Sequence, residues 1–529
     1  MPDAVVIGAG HNGLVAANLM ADHGWSVVVL EAAEEPGGGA RSAELIEAGF
    51  TNDICSAFYP LGAVSPVLRD LRLEDWGLRW LRAPTVIAHP APDGSCPVIS
   101  QVEGETAASL DVLSPGDGEA WEELYRFWQQ LRPAFTDALL APFPPVRAGL
   151  SVGLRARHDL GALLRLITLP VHRLGQEQFE GGGARRLLAG LALHADLMPE
   201  AVLSGLFGWI MAGLGQEVGF PVPEGGASSI PDALVRRLEA SGGSVQCATA
   251  VEAIEVRKGR AVAVRTDDGS VVTAARAVVA DVDAVQLYRH LVPSEALPPT
   301  VLRHLDRFHW DHATFKVDWN LDGPIPWSAT EARRAGTVHV TDDVAELTMS
   351  AATISAGRIP VKPFLVMGQQ QVTDPSRQPA GKDTVWAYTH LPRQIDGDEG
   401  PDGLTGDWRA GDADRFADRI EARVEALAPG FGSLIRGRHV LSPDGFSSTE
   451  RSMPLGALNQ GTSQLHQQLV LRPIPGLGRA ETPIRNLYLG SASAHPGGGV
   501  HGACGANAAR AALLHHRFGP LAAPLRRAF

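Results

Sequence analysis

The stretch that decides the fold is VVIGAGHNGL, residues 5–14, followed by a second apolar run at residues 25–30 and then Glu31. The β-branched residues 4–7 predict a short buried strand. Residues 14–23 have the apolar spacing of a helix, and residues 25–30 predict a second strand. Connections this short allow only a strand–helix–strand unit with parallel strands. The glycine-rich turn therefore lies where the first strand turns into the helix.

Each glycine of this turn has an expected task. Gly8 permits the tight turn, Gly10 lets a pyrophosphate approach the backbone, and Gly13 lets helix and strand pack closely. The helix N-terminus offers unpaired N–H groups to phosphates. Glu31 follows Gly13 by eighteen residues, where a carboxylate can accept hydrogen bonds from a ribose diol and disfavours a 2′-phosphate. We therefore predict a dinucleotide site. The alternative is a turn that binds nothing.

A glycine triplet, residues 37–39, and the sequence Ala40-Arg41-Ser42 come next. A flexible triplet followed by an arginine suits a backbone that wraps a long dinucleotide and reaches its second phosphate. The Arg41 guanidinium can form a bidentate hydrogen-bonded contact with phosphate. The alternative for Arg41 is a solvated surface side chain.

Three segments carry a resemblance to a known family. GAGHNG with Glu31 and PGGGARS, residues 221–256 and residues 486–513 look like the phytoene desaturase-like FAD-dependent oxidoreductases. That group includes retinol saturase-like proteins and is distantly related to the flavin amine oxidases. The resemblance implies FAD as cofactor. It also implies an α/β fold, in which a Rossmann-like FAD-binding domain is assembled from discontinuous segments and joined to a mixed α+β substrate domain.

We predict that residues 1–75, 218–290 and 460–529 form the FAD-binding domain. Residues 76–217, mainly helical, and residues 291–459, strand-rich, form the substrate domain. Within 251–280 the alternating pattern predicts two hairpin turns, at Lys258-Gly259 and Asp268-Gly269. The resemblance implies that the backbone at Val251 meets the adenine and that the turn at Ala280 lies near the cofactor.

The flavin ring is expected at GSASAHPGGGVHG, residues 490–502. The N–H groups of Gly499 and Val500 precede a predicted helix and can stabilise negative charge on the reduced flavin. Ser491 stands where many flavoproteins carry an acid. His495 and His501 are the catalytic candidates, because either could accept a proton as hydride leaves the substrate. The alternative is that both histidines fix the loop. The full set of candidate cofactor-binding residues is Gly8, Gly10, His11, Asn12, Gly13, Glu31, Gly38, Gly39, Ala40, Arg41, Val251, Ala280, Ser491, Gly498, Gly499 and Val500.

The predicted reaction is hydride transfer from a lipophilic substrate to FAD with formation of a double bond. The resemblance suggests an isoprenoid or polyene substrate, with oxygen or a quinone as electron acceptor. One alternative is an amine oxidase-like enzyme acting on a C–N bond, which an aromatic pair facing the flavin would favour. Two others are a flavin-assisted isomerase or cyclase and a non-enzymatic binder resembling GDP dissociation inhibitors.

The composition argues against several other classes of protein and of functional site. The formal charge of −13 argues against nucleic acid as a partner. The four cysteines are scattered without a CxxC pair, which argues against a disulfide framework, a thiol redox pair and a cysteine-rich metal site. No metal site is predicted.

The sequence favours a cytoplasmic protein. No charged segment precedes the first strand, and the uncharged residues 201–216 are too short to span a bilayer, so they predict a buried helix. Residues 146–175 are basic and apolar within an acidic chain. They could lie on a membrane surface or cover an apolar tunnel, or they could form an ordinary helix pair whose arginines face water or acids. The number of subunits stays open.

Overall fold

The fold contains two large sheets, and the first is a five-stranded parallel sheet. The structure is a computed structural model, and it describes residues 1–519. The strands lie in the order Leu487–Leu489, Ala277–Ala280, Ala4–Ile7, Val27–Leu30 and Ser244–Gln246, with all neighbours parallel. They come from all three segments assigned to the FAD-binding domain. The predicted α/β fold class is confirmed, while the domain boundaries stay a prediction, and residues 520–529 lie outside the described part.

Two boundaries differ from those predicted. The first helix spans His11–Asp22 and so begins three residues early, because Gly10 already acts as its N-cap. The second strand is Val27–Leu30, two residues shorter than predicted, since the Ser26 N–H donates to the Asp3 carboxylate at 2.9 Å instead of joining the sheet. Three helices cover one face of this sheet and share its core: His11–Asp22, Ser229–Ala240 and Ala503–Phe518.

A small antiparallel sheet packs near the other face of the parallel sheet, through the cluster that joins Ile254 and Val264 to Val5 and Val278. Its strands are Val251–Val256, Ala261–Thr266 and Val271–Thr273. At the first turn Lys258 has φ +51° and Gly259 has φ +68°, the left-handed pair that tight hairpins use. Both predicted hairpin turns lie where expected.

The second large sheet has seven strands. Its order is Ile435–Leu441, Ala313–Leu321, Asp383–Leu391, Leu365–Gln369, Ala335–Val340, Thr85–Ala88 and Val98–Ser100. The last two strands come from the segment predicted to be mainly helical. They pair with each other, and Thr85–Ala88 also pairs with Ala335–Val340, so that the short hairpin joins a larger sheet that stabilises it.

Helices cover both faces of this larger sheet. Seven lie along residues 105–218 and supply one apolar cluster: Glu105–Asp111, Asp117–Leu140, Val146–Arg155, Leu160–Thr168, Val171–Gln178, Gly182–His194 and Ser204–Val218. Ser204–Val218 is the buried helix predicted at 201–216. Asp412–Leu427 packs on the opposite face, and Val344–Ser355 packs against the helix Gly182–His194. Shorter helices are Pro60–Val64, Pro66–Asp70, Pro299–Leu305 and Pro443–Thr449. Among residues 1–519, no helix combines the length and apolar character needed to cross a membrane.

Candidate cofactor and active site

The opening turn, residues 8–13, is too crowded for side chains. Gly8 has φ +93°, and a Cβ at Gly13 would lie 2.2 Å from the Gly8 carbonyl oxygen. The N-cap residue of the helix that starts at His11 is Gly10, which has no side chain to cap it. The turn therefore brings strand and helix backbones into contact at the positive end of the helix dipole.

Asp281 alters the expected role of Gly10. The Asp281 carboxylate accepts the Gly13 N–H at 2.7 Å, and a Cβ at Gly10 would lie 2.6 Å from the same oxygen. The space beside Gly10 is thus filled by a carboxylate of the chain itself. Burial raises the pKa of Asp281 to about 7, which reduces its negative charge near neutral pH. The approach of a pyrophosphate to Gly10 stays a prediction.

Glu31 closes the base of the opening turn. Its carboxylate accepts the N–H of Ala9 at 2.6 Å and the N–H of Ala33 at 2.9 Å. The Thr249 N–H donates to the Glu31 carbonyl at 2.7 Å, which brings the start of the strand at Val251 beside it. Glu31 and Val251 are therefore neighbours. Their contacts with ribose and adenine stay predictions.

The glycine triplet lies over the opening turn. The Gly37 N–H donates to the Ala9 carbonyl at 2.9 Å, and a Cβ at Gly38 would lie 3.4 Å from the Gly10 Cα. The Arg41 guanidinium donates to the Gly38 carbonyl at 3.0 Å and forms an ion pair with Glu450. Its side chain is 13% exposed, so Arg41 is not a solvated surface residue. Ala40 beside it is buried.

The closing loop, residues 495–502, meets the opening turn directly. The His11 ring faces the Gly499 backbone, and the Asn12 amide oxygen accepts the Gly505 N–H at 3.4 Å. A Cβ at Gly505 would lie 1.8 Å from the Asn12 carbonyl oxygen. Gly498 is covered by Asn459, whose Oδ1 would lie 1.9 Å from a Cβ there. Residues 8–13 and 497–500 therefore share one site, as the sequence analysis requires.

Ala280 and Ser491 connect the two loops through the parallel sheet. The Gly490 N–H donates to the Ala280 carbonyl at 2.8 Å, and the Asp281 N–H donates to the Ile7 carbonyl at 2.7 Å. Ser491 is fully buried, and its hydroxyl oxygen accepts the Ser493 N–H at 3.3 Å. In this structure Ser491 shapes its own loop.

The two catalytic candidates differ in their surroundings. The Nδ1 of His501 accepts the Ala503 N–H at 3.1 Å, and burial lowers the pKa of this histidine to about 3. These contacts favour the loop-fixing role for His501 over proton transfer. His495 is 5% exposed and packs edge-on against Phe143, with ring centroids 5.8 Å apart. Burial lowers the pKa of His495 to about 4, so its ring is neutral at pH 7.

A row of buried polar side chains on the strand Ala313–Leu321 of the larger sheet was not predicted from the sequence. Lys316 donates to the Asp53 carbonyl at 2.9 Å and to the Asp318 carboxylate at 2.5 Å. Burial raises the pKa of Asp318 to about 6. Polar residues at every second position of ATFKVDWNL, residues 313–321, were the available signal, because a strand buried on both faces is normally apolar throughout.

The residues of the shared site fit a flavin dinucleotide. The glycines bring three backbones together, the first helix begins at a glycine N-cap, and the buried Nε2 of His11 has no hydrogen-bond partner within residues 1–519. These are the features expected where a phosphate-bearing ligand lies against a helix N-terminus.

Family comparisons agree with this geometry. Residues 6–71 match the NAD(P)-binding Rossmann-like domain, and residues 108–345 match the flavin containing amine oxidoreductase family. The rat pyridine nucleotide-disulfide oxidoreductase domain-containing protein 2 is 28% identical, over 96% of this chain and 92% of its own length. A neurosporene-forming phytoene desaturase from Cereibacter sphaeroides is 26% identical, over 95% of this chain and 92% of its own.

One solved structure supports the fold. An oxidoreductase from Methanosarcina mazei superposes with a TM-score of 0.64 at 16% identity, covering 97% of this chain and 99% of its own. The end-to-end similarity to phytoene desaturases, the flavin-family match and the joined glycine loops agree with one another. The resemblance to the phytoene desaturase-like FAD-dependent oxidoreductases, which are related to the flavin amine oxidases, is therefore confirmed, and the chain is an FAD-dependent oxidoreductase.

Proposed function

We propose that this enzyme desaturates a lipophilic small molecule, removing hydride and a proton to leave a new double bond. Bound FAD supplies the hydride-accepting ring for such chemistry. The observation that carries the proposal is the contact between the closing loop and the opening turn, where the His11 ring faces the Gly499 backbone. The similarity to phytoene desaturases supports a carbon–carbon bond as the one oxidised.

We assign the cofactor contacts to the candidate residues of the two loops. The N–H groups of Gly499 and Val500 lie just before the helix Ala503–Phe518, where a helix N-terminus stabilises negative charge. His495, neutral at pH 7, is the remaining candidate to accept the substrate proton. A proton acceptor with a pKa of about 4 is weak, which suits a reaction in which the substrate develops positive charge.

An apolar substrate fits the surroundings of the larger sheet. One face of this sheet meets a continuous apolar cluster in which Val366 and Trp386 pack with Leu187, Leu188 and other helix residues. These side chains pack against one another as a core, and a substrate site beside them would have apolar walls, as sites for small apolar ligands usually do. We therefore favour an isoprenoid or polyene over a charged substrate.

The test is anaerobic mixing of the oxidised enzyme with candidate substrates while the flavin absorbance is followed. Bleaching by an isoprenoid or polyene, with a product two hydrogens lighter, supports the proposal. Bleaching only by amines would transfer the activity to the amine oxidase-like alternative. Product formation without bleaching would indicate an isomerase or cyclase. Reoxidation by oxygen or by a quinone then identifies the acceptor.

We also propose that the enzyme docks on an anionic membrane surface. The helices Val146–Arg155 and Leu160–Thr168 turn apolar side chains to solvent: Val146, Leu150, Leu154, Leu160 and Leu164, of which Leu154 is 67% exposed. Arg165 and Arg173 pair with Glu177. Arg147, Arg155 and Arg157 form no ion pair within the described residues. Exposed leucines beside unpaired arginines suit an interface with anionic lipid.

Vesicle sedimentation tests the docking. The wild type is expected to sediment with vesicles containing anionic lipid and to lose this binding when Leu150 and Leu154 are both changed to Gln. Met349→Gln is the control, since Met349 is 66% exposed on another helix. Equal sedimentation of all three proteins, or none by the wild type, would contradict the docking and leave the desaturase proposal intact.

A further inference from the structure

We propose that Asp196, His312 and His390 form a binding site for one divalent transition-metal ion of the zinc and iron(II) class. Asp196 follows the helix Gly182–His194, His312 precedes the strand Ala313–Leu321, and His390 lies near the end of the strand Asp383–Leu391. One ligand atom from each residue lies within 4.8 Å of the other two. No metal site was predicted from the sequence, so this proposal differs from that prediction.

Asp196 is a buried carboxylate with an unused oxygen. Its residue is 4% exposed, and Oδ1 lies 2.8 Å from the Nδ1 of His312. The other oxygen, Oδ2, is buried and has no hydrogen-bond partner within residues 1–519. A buried carboxylate oxygen without a donor is costly, and a cation beside it removes that cost.

His390 presents a free ring nitrogen to the same carboxylate. Its Nε2 lies 3.1 Å from the Leu193 carbonyl, which can only accept, so Nε2 carries the hydrogen. The Nδ1 of the neutral ring is then a lone pair, and it is buried without a hydrogen-bond partner within the described residues. Metal-binding histidines characteristically donate their other ring N–H to a carbonyl or carboxylate in this way.

The distance between His390 and Asp196 distinguishes a metal ion from a shared proton. The His390 Nδ1 and the Asp196 Oδ1 are 3.7 Å apart, which is too long for a hydrogen bond. Two ligand atoms that each lie about 2.1 Å from a zinc ion are separated by roughly 3–4 Å. The gap is therefore the size that an ion between the two atoms requires. The His312 Nδ1 lies at hydrogen-bond distance from the same oxygen, so it would release its proton when it binds the ion.

The donor set and its neighbours fix the class of ion. Two imidazole nitrogens with one carboxylate suit zinc or iron(II) better than calcium or magnesium, which take oxygen ligands. Nearby, the Asp311 carboxylate accepts the N–H groups of Asn459 at 2.7 Å and Gly461 at 3.0 Å. Because Asn459 also covers Gly498, the proposed ion lies behind the loop that supports the flavin ring.

The experiment measures metal directly in the full chain, purified without a histidine tag. Elemental analysis is expected to find one zinc or iron per chain. Metal-free protein titrated with Co²⁺ should develop visible absorption bands that saturate at one equivalent. Asp196→Asn and His390→Gln should each abolish the saturating bands while flavin content and circular dichroism stay as in the wild type.

His466→Gln is the matched control, since His466 stacks on His309 at the surface and could bind metal adventitiously. It should bind Co²⁺ like the wild type. If Asp196→Asn does not fold, His312→Gln supplies the second ligand variant. A wild type without bound metal and without saturating Co²⁺ bands, or ligand variants that bind as the wild type does, would overturn the proposal. Neither result bears on the desaturase activity.

Discussion

Replacing Gly13 by Ala tests the close packing on which the opening turn depends. The new Cβ would lie 2.2 Å from the Gly8 carbonyl oxygen and 3.1 Å from the Asp281 side chain. The first contact is with backbone on the neighbouring turn, so the helix must move by about 1 Å to reach van der Waals distance. Overpacking of this kind costs about 1–3 kcal/mol, and we expect the upper end because no flexible side chain can yield.

Urea unfolding of the flavin-free protein measures that cost, and fluorescence titration with FAD measures the accompanying loss of affinity. Gly153→Ala is the matched control, because Gly153 also lies within a helix and a Cβ there meets nothing within 4 Å. Alanine's higher helix propensity predicts that the control is unchanged or more stable by up to about 1 kcal/mol. The packing argument is refuted if Gly13→Ala is as stable as Gly153→Ala and binds FAD equally well.

Three further substitutions test buried groups near the site, each by urea unfolding. Burial raises the pKa of Asp281 from 3.8 to about 7, so the folded state binds this proton more tightly than the unfolded state does, and the stability falls as the pH rises through this window. Relative to Asp281→Asn, the wild type should lose about 3 kcal/mol of unfolding free energy between pH 5 and pH 8. A difference in stability between the two proteins that does not change with pH would contradict the burial of Asp281. His501→Ala should cost about 1–3 kcal/mol by leaving the buried Ala503 N–H without its acceptor, with partial recovery in His501→Asn. Lys316→Met should cost about 3–5 kcal/mol by leaving Asp318 buried alone, and adding Asp318→Leu should restore stability; a neutral single variant would argue against the ion pair.

The local pattern of the opening turn was sufficient to predict its structure. Strand, turn and helix at residues 4–22 follow from β-branched residues, glycine spacing and apolar periodicity, all of which act over a few residues. The helix Ala503–Phe518 and the two hairpin turns were predictable for the same reason. Predicting that residues 8–13 and 497–500 meet required the family resemblance, since the two segments are far apart in sequence.

The features that could not be predicted from the sequence depend on contacts between segments that are far apart in the chain. Asp281 fills the space beside Gly10 only because the strand Ala277–Ala280 pairs with Ala4–Ile7. The strand Thr85–Ala88 contains three β-branched residues, but it lies in a segment predicted to be mainly helical, and its pairing with Ala335–Val340 joins segments far apart in the sequence. The two histidines and the aspartate of the proposed metal site come from three separate segments, and their spacing in the sequence matches no metal-binding motif.

The most direct test of the account is the flavin content of the purified chain. Released flavin is separated and quantified against protein, for the wild type and for a variant in each of the two segments. We predict one FAD per chain in the wild type and a strong loss in both Gly13→Ala and Gly505→Ala, because Gly13 packs against Gly8 in the opening turn and Gly505, in the helix after the closing loop, packs against Asn12. A wild type that neither contains nor takes up FAD, or a loss confined to one of the two variants, would contradict the conclusion that the two segments form a single flavin site.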